Sequence, residues 1–120
     1  MCGVGVSSIA VDIASQVERI EAIVSCPVTG DPRDASQARD VVVLIDPPTR
    51  DYVQILQTWQ LVVLRNTTDL GFDTTEALSE VVAELEAADD LPIEESRPGA
   101  RQLSREKPAV PAYFIRYTTP

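Results

Sequence analysis

The chain has 120 residues, a formal net charge of −9 at pH 7, 44% hydrophobic residues and no histidine. Its length suffices to close one hydrophobic core but hardly two, and its hydrophobic content is that of a folded protein. The negative charge argues against tight binding to nucleic acid, because such binding depends on lysine and arginine displacing counterions from phosphates.

The N-terminus has its first basic residue at Arg19, so it lacks the charged segment of a secretory signal, and no export is expected. No apolar run approaches the roughly 20 residues of a membrane-spanning helix, so no membrane partner is expected. Cys2 and Cys26 have neither a histidine nor a CxxC partner, which leaves too few ligands for a structural zinc site. We expect two free thiols, with a disulfide between them as the alternative.

A first helix is predicted at about residues 8–24, where apolar side chains recur every three or four positions. These side chains are Val6, Ile9, Ile13, Val17, Ile20 and Val24. Cys26 and Pro27 end the helix. Residues 27–40 then combine two further turn signals, Gly30 and Pro32, with small polar residues, which predicts a long surface loop of the kind that is often functional or disordered.

A hairpin is predicted next. VVVLID at 41–46 is β-branched and too short for a helix, so it is expected to be a buried strand, and PPTRD at 47–51 is expected to turn the chain back antiparallel to it. In the returning run, 52–64, alternate residues are expected to face the core. This set is Val53, Ile55, Gln57, Trp59, Leu61 and Val63. The opposite set becomes apolar towards its end, where either a neighbouring subunit or the first helix is expected to cover it.

A second helix is predicted at about residues 74–88, with a core stripe of Leu78, Val81, Val82 and Leu85. Asp73 and Glu76 resemble a capping box with aspartate in the usual serine or threonine place. Two more strands are expected near the C-terminus, the first short and at a sheet edge because prolines flank them. The last strand is expected to place Tyr113, Ile115 and Tyr117 on one face.

These elements predict an α+β fold: a single domain over residues 1–120, in which a four-stranded antiparallel sheet packs with two helices in the order α-β-β-α-β-β. The chain offers little chemistry. Without histidine neither a Ser-His-Asp nor a Cys-His arrangement is available, and GVG at 3–5 lacks the third glycine of a nucleotide-binding loop. The acidic residues Asp89, Asp90, Glu94 and Glu95 match no calcium loop. We predict no catalytic, cofactor-binding or metal-binding residue and expect no enzyme.

The stretch VVVLIDPPTRDYVQILQTWQLVVLRNTTDLGFDTTEALSEVV and the closing KPAVPAYFIRYTTP resemble the tail terminator proteins of long-tailed bacteriophages of actinobacteria. The resemblance spans about residues 8–118 and rests on element order, length and similarity around DPP…W.LVVL. It implies a small non-enzymatic subunit that forms a hexameric ring on the tail tube, stops tube polymerisation and presents its upper face to the head-side connector. It also implies a place at the head-proximal end of the virion tail, after assembly in the host cytoplasm.

Charge fits such a ring in two ways. An acidic lumen would repel the phosphates of passing DNA, and ring subunits need head-to-tail contacts between unlike surfaces. Every charged residue from Asp69 to Glu95 is acidic, whereas arginines dominate the strands that follow. We therefore predict a subunit interface that loosens with salt. Its residues are Glu76, Glu80 and Glu84 of one subunit and Arg97, Arg101 and Arg105 of the next.

Four alternatives stay open. The row Glu76, Glu80 and Glu84 also suits a solvated helix face, and the acidic and basic regions could neutralise each other within one subunit. Another head–tail connector component, such as a stopper or head-completion protein, is the third alternative. The last alternative is a small peptide-binding adaptor or chaperone that uses its sheet edge. Size in solution separates a monomeric adaptor from a ring.

Overall fold

A mixed sheet forms the middle layer of the protein, of which the computed structural model describes residues 8–68 and 71–120. Within these residues there are six strands and three helices. In chain order they are α1 (Ile9–Glu21), β1 (Val28–Thr29), α2 (Pro32–Gln37), β2 (Val41–Ile45), β3 (Thr49–Asp51), β4 (Leu56–Arg65), α3 (Phe72–Glu86), β5 (Ile93–Arg101) and β6 (Val110–Thr119). The predicted α+β class is confirmed, and the fold is a compact single domain.

The sheet has the order β1-β2-β4-β6-β5, and β3 pairs with β4 beyond the end of β2. β1 is parallel to β2, and the other pairs are antiparallel. The prediction of four antiparallel strands and two helices is therefore wrong in detail. The missed elements β1, α2 and β3 span two, six and three residues, which is too short for a hydrophobic period to develop.

The predicted loop at 27–40 contains β1 and α2, so this prediction is also wrong. Asp31 is the N-cap of α2 and accepts a hydrogen bond from the Arg33 backbone N–H at 2.9 Å, and Pro32 is the first helical residue. Both are ordinary signals of a helix start, and Pro32 and small polar residues are equally common in turns, so the sequence pattern does not separate the two. Asn66 donates to the Ala35 and Ala38 carbonyls at 2.6 and 3.0 Å and thereby fastens α2 to the end of β4.

The hairpin between β2 and β4 exists, but its turn lies at residues 52–55 rather than at 47–51. After the two prolines the chain resumes pairing with β4, from Thr49 opposite Thr58 to Asp51 opposite Leu56. The Asp51 carboxylate then accepts backbone N–H groups of the following turn at 2.9 and 3.1 Å, which fixes the reversal.

The core-facing set of the returning strand is confirmed for Trp59, Leu61 and Val63, all of which are buried. It is wrong for Val53 and Ile55, which are exposed in the turn. The alternation expected from a single long strand therefore holds only from the start of β4 onward.

Each face of the sheet has its own core, so the expectation that the chain closes one core but hardly two is wrong. On one face, α1 and α3 pack with Ile20, Val82 and Leu85 against β2, β4 and β6, and the predicted facing of Tyr113, Ile115 and Tyr117 is confirmed there. The opposite face is covered by α2, through the fully buried Ala35, and by Leu103 between β5 and β6. The expectation that the first helix covers this second face is thus wrong, and the apolar end of β4 is covered within the subunit.

Helix α3 begins two residues earlier than predicted and without the predicted capping box. Its N-cap is Gly71, with no side-chain cap hydrogen bond, and Asp73 lies in the first turn instead. An acidic residue there still interacts favourably with the helix dipole.

The C-terminal hairpin confirms an edge position for β5 but not the expected short length, since β5 has nine residues. Pro98 is tolerated because an edge strand needs no ladder partner on its outer side. Phe114 of β6, opposite Arg97, lies over Gly99 so closely that a Cβ at 99 would approach its Cε2 atom to 2.6 Å. The Arg97 guanidinium lies 4.8 Å from the centroid of the same ring.

Candidate subunit interface

The exposed face of α3 carries the predicted acidic row. Glu76 and Glu80 are exposed and form no ion pair with any other described residue. Glu84 is half-buried and accepts hydrogen bonds from the Ser25 backbone N–H at 3.1 Å and from its hydroxyl at 3.2 Å. Two of the three glutamates are therefore available to a partner, whereas Glu84 fastens α3 to the chain just after α1.

The predicted arginines lie in three different environments. Arg97 pairs with Glu95 at 3.2 Å, and Arg105 is exposed, without an ion pair in the described part of the chain. Arg101 binds Asp46 through both guanidinium nitrogens, at 2.8 and 2.9 Å. The structure therefore does not bring the six predicted residues together. Glu95 pairs with Arg97 and also with Arg116 of the same subunit, the latter at 3.3 Å. This pairing agrees with the alternative in which acidic and basic residues neutralise each other within one subunit.

The bond between Arg101 and Asp46 crosses the sheet. Asp46 directly follows β2, Arg101 ends β5, and β4 and β6 lie between these strands. Arg101 is opposite Val110 of β6, whereas the Asp46 backbone bonds Gln60 of β4, which is opposite Arg116. The ion pair therefore joins the ends of two strands that are not neighbours in the sheet. Gln60 adds a hydrogen bond to Asp46 at 2.9 Å.

The net charge of the protein lies almost wholly on one face. We call α1, α3 and residues 87–92 the helical layer. It contains ten carboxylates and a single arginine, Arg19, so it accounts for the entire −9, and the rest of the sequence is neutral. On the opposite side Arg39 and Arg105 are exposed and unpaired among the described residues. Sequence reasoning found the acidic second helix but missed the share of α1, because only the fold places the two helices side by side.

The turn at residues 52–55, here called the hairpin tip, is apolar and exposed. Tyr52, Val53 and Ile55 are 81%, 93% and 78% exposed. The base of the tip is fixed, since Arg50 binds Asp12 of α1 at 2.7 Å and the Gln57 side chain at 3.2 Å.

Ile55 has a φ of 58°, the one positive value among the described non-glycine residues. A β-branched side chain rarely adopts this left-handed conformation. Sequence reasoning had placed Ile55 in the core, and no signal in the sequence marks it as a turn residue.

A groove runs between α3 and the edge strand β5. It has a volume of about 410 Å³. Its walls are Ser79, Val82, Ala83, Glu86, Ser96, Pro98 and Tyr113. A second cavity of about 190 Å³ shares Pro98 and Tyr113 and continues towards the start of α3. We call the larger cavity the α3–β5 groove. It exists because α3 packs over β4 and β6 and leaves β5 uncovered.

The two residues with raised pKa values belong to the packing rather than to a reactive site. Burial raises the pKa of the Cys26 thiol, and burial likewise raises the pKa of Tyr117, whose hydroxyl donates to the Gln16 side chain at 2.6 Å. Cys26 is free, and Cys2 lies outside the described residues. Within residues 8–68 and 71–120, no three acidic or cysteine side chains are grouped to hold a metal ion.

No family model matches the chain, and no curated protein or solved structure matches it significantly. None of the helices in the described ranges has the length and apolar character needed to cross a membrane.

Proposed function

We propose that the protein is a structural virion component that forms a ring, a hexamer by its resemblance to tail terminators. The ring caps the tail tube of a long-tailed phage at its head-proximal end, ends tube polymerisation and joins the tube to the head-side connector. The observation that carries the proposal is the segregation of charge, with ten carboxylates in the helical layer and a neutral remainder. The protein has no catalytic role in this proposal and needs no cofactor.

Segregated charge suits a ring through which DNA passes. If the helical layer of each subunit faces the lumen, the lumen wall is uniformly negative and phosphate groups are repelled along it. The neutral side, with α2 and the turn between β5 and β6, then faces outward or towards other proteins. A uniformly acidic surface would give the same net charge, but it would also repel the neighbouring tail tube and connector proteins if they are acidic.

Inactivation of the gene tests this proposal in a phage that encodes the chain. Without a terminator, tubes should grow beyond the normal length and heads should remain unjoined, as measured by negative-stain electron microscopy of lysates. Supplying the wild-type chain in trans should restore tails of normal length. Normal, head-joined tails in the absence of the chain would refute the proposal. Normal tail lengths with unjoined heads would instead identify a stopper or head-completion protein.

A peptide-binding adaptor is the second candidate, and the exposed edge of β5 favours it. An extended peptide can add a strand to such an edge and place side chains in the adjacent α3–β5 groove. Two features oppose it, since Pro98 and the register shift between Ile93 and Glu95 interrupt the edge, as in strands protected against pairing. A monomer that binds an extended peptide would favour the adaptor, whereas rings favour the terminator.

A further inference from the structure

The hairpin tip exposes apolar side chains that do nothing for the fold. Tyr52, Val53 and Ile55 contribute to neither of the two cores, and they are 81%, 93% and 78% exposed. Single exposed apolar residues are ordinary, but contiguous ones on a projecting element mark interaction surfaces.

The tip is also held in one shape. Asp51 accepts two backbone N–H groups of the turn, and Arg50 connects its base to α1 and to β4. Ile55 occupies a left-handed backbone conformation that favours glycine or asparagine, so the β-branched side chain is present there despite the backbone preference. A rigid apolar projection loses little conformational freedom on binding, which favours affinity.

Charge indicates what the tip binds. Residues 52–64 are the longest stretch of the chain without a charged side chain. A basic partner would be drawn to the helical layer, with its ten carboxylates, rather than to an uncharged turn. An acidic partner is repelled by that layer, so its contact has to lie on an uncharged part of the surface. A second copy of this chain, itself at −9, is such a partner.

The α3–β5 groove is the matching surface on that second copy. Its lining is mixed: Val82, Ala83, Pro98 and Tyr113 are apolar, Ser79 and Ser96 are polar, and Glu86 is the single carboxylate among the lining residues. The tip precedes β4, whereas the groove lies beside β5, so the two surfaces are distinct parts of one chain. A contact between unlike surfaces leaves the pair of copies with one free tip and one free groove, so repetition of the contact generates a ring or a filament.

The available area agrees with one anchor of an interface. A buried aromatic side chain covers roughly 150–250 Å². Together with its two aliphatic neighbours, Tyr52 therefore offers on the order of 400 Å², about half of the roughly 800 Å² that each partner buries in a stable complex. Ile9 and Val11 are 44% and 61% exposed at the start of α1, which the bond between Asp12 and Arg50 places beside the hairpin base. They supply further apolar area next to the tip.

We propose that the hairpin tip of one copy docks into the α3–β5 groove of a second copy, and that repetition of this contact builds the ring. The inference rests on the proposed function for the closure of the ring, whereas the contact itself is measurable on the purified chain. Ile55 and Tyr52 are the anchors, and the groove walls from α3 and β5 receive them.

Photo-crosslinking tests where the tip binds. A benzophenone amino acid is placed at Val53, and the protein is mixed with an isotopically labelled wild-type copy, so that crosslinks between copies are distinguished from those within one copy. The expected result is a crosslink from position 53 to residues 79–86 or 96–98 of the labelled copy. Crosslinks to other regions, or only within one copy, would overturn the inference.

Matched truncations test which side chains bind. Sedimentation of the purified chain at concentrations on the order of 100 μM should show oligomers. Tyr52→Ala and Ile55→Gly should each raise the dissociation constant by roughly 30-fold, as an interface anchor does, whereas Gln54→Ala in the same turn should change it by less than about twofold. Ile55→Gly is suited to its backbone conformation, so circular dichroism should show that it remains folded.

The outcomes separate this inference from the proposed function. A monomeric wild-type chain, or equal dissociation constants for the three variants, would overturn the docking contact. If the truncated variants still cap tails at normal length, docking fails while the terminator function stands. If the tip mediates self-association but inactivation of the gene leaves tails normal, the terminator function fails and the contact stands.

Discussion

Replacement of Arg101 by alanine should destabilise the protein, because it removes the ion pair that joins the end of β2 to the end of β5 across the sheet. The side chains of Arg101 and Asp46 are 28% and 16% exposed and joined by two charge-assisted hydrogen bonds. Breaking a fully buried pair costs about 3–5 kcal/mol and an exposed pair about 0.2–1 kcal/mol. We expect an intermediate loss of about 2 kcal/mol, since Gln60 continues to bond Asp46 after the change.

Denaturant unfolding and calorimetry measure this loss. For a chain of this length, about 2 kcal/mol corresponds to a fall in Tm of roughly 8 °C. Arg97→Ala is the matched control, because its ion pair with Glu95 is more exposed, at 56% and 42%, and should contribute less than about 1 kcal/mol. If Arg101→Ala unfolds at the wild-type temperature while the control behaves as expected, the ion pair does not hold the sheet, and Arg101 is again a candidate for contact between subunits.

Three further predictions concern the core. Trp59→Ala should lose about 3–5 kcal/mol and fail to fold stably, whereas native-like melting would show that the assignment of β4 is shifted by one residue. Gly99→Ala should cost about 1–3 kcal/mol, because its Cβ forces the Phe114 ring to move, and Phe114→Leu in the same chain should recover part of the loss in denaturant titrations. In a Cys2→Ser background, Cys26 should react slowly with a thiol reagent at pH 8, because burial raises the pKa of its thiol, and rapid labelling of the native protein would contradict this. The stability that this raised pKa contributes should be present below the ordinary thiol pKa of 9.0 and should be lost as the pH rises beyond it.

The sequence predicts those parts of the fold in which an apolar pattern repeats several times along one element. The stripe of α3 and the buried positions from Trp59 to Val63 each extend over several repeats, so the core side of each element follows from spacing alone. The hairpin turn had no such signal. Tyr52, Val53 and Ile55 have strong β propensity, and the turn contains neither glycine nor asparagine, so its reversal depends on the Asp51 side chain and on a strained isoleucine.

The features of the candidate site that could be predicted are those that depend on a single helix. Exposure of Glu76 and Glu80 follows from their spacing on one helix. The pairing of Arg101 joins residues 55 positions apart across two intervening strands, so it depends on the arrangement of the whole sheet. The acidity of the helical layer likewise depends on α1 and α3 sharing one face, which the charge along the sequence does not reveal.

The response to salt distinguishes the two interfaces that have been considered. If charge pairs between Glu76 or Glu80 and the arginines of a neighbour hold the ring, raising the salt from 0.1 to 1 M should loosen it, because the Debye length falls from about 10 to about 3 Å. If an uncharged tip holds together copies that repel each other through their helical layers, the same change should tighten it.

Neutralising Glu76 and Glu80 tests the same two interfaces, because they predict effects of opposite sign on the association of subunits. Glu76→Gln with Glu80→Gln removes two charges that form no ion pair among the described residues, so folding stability should change by less than about 0.5 kcal/mol. Docking through the tip predicts that this variant associates more tightly than wild type at low salt and responds less to added salt, because repulsion between subunits is weaker. Charge pairing predicts weaker association at low salt. Sedimentation of both proteins across the salt series measures the difference. Loosening with salt together with weaker association of the variant would refute docking of the tip as the main contact, and it would return the ring interface to the acidic row of α3.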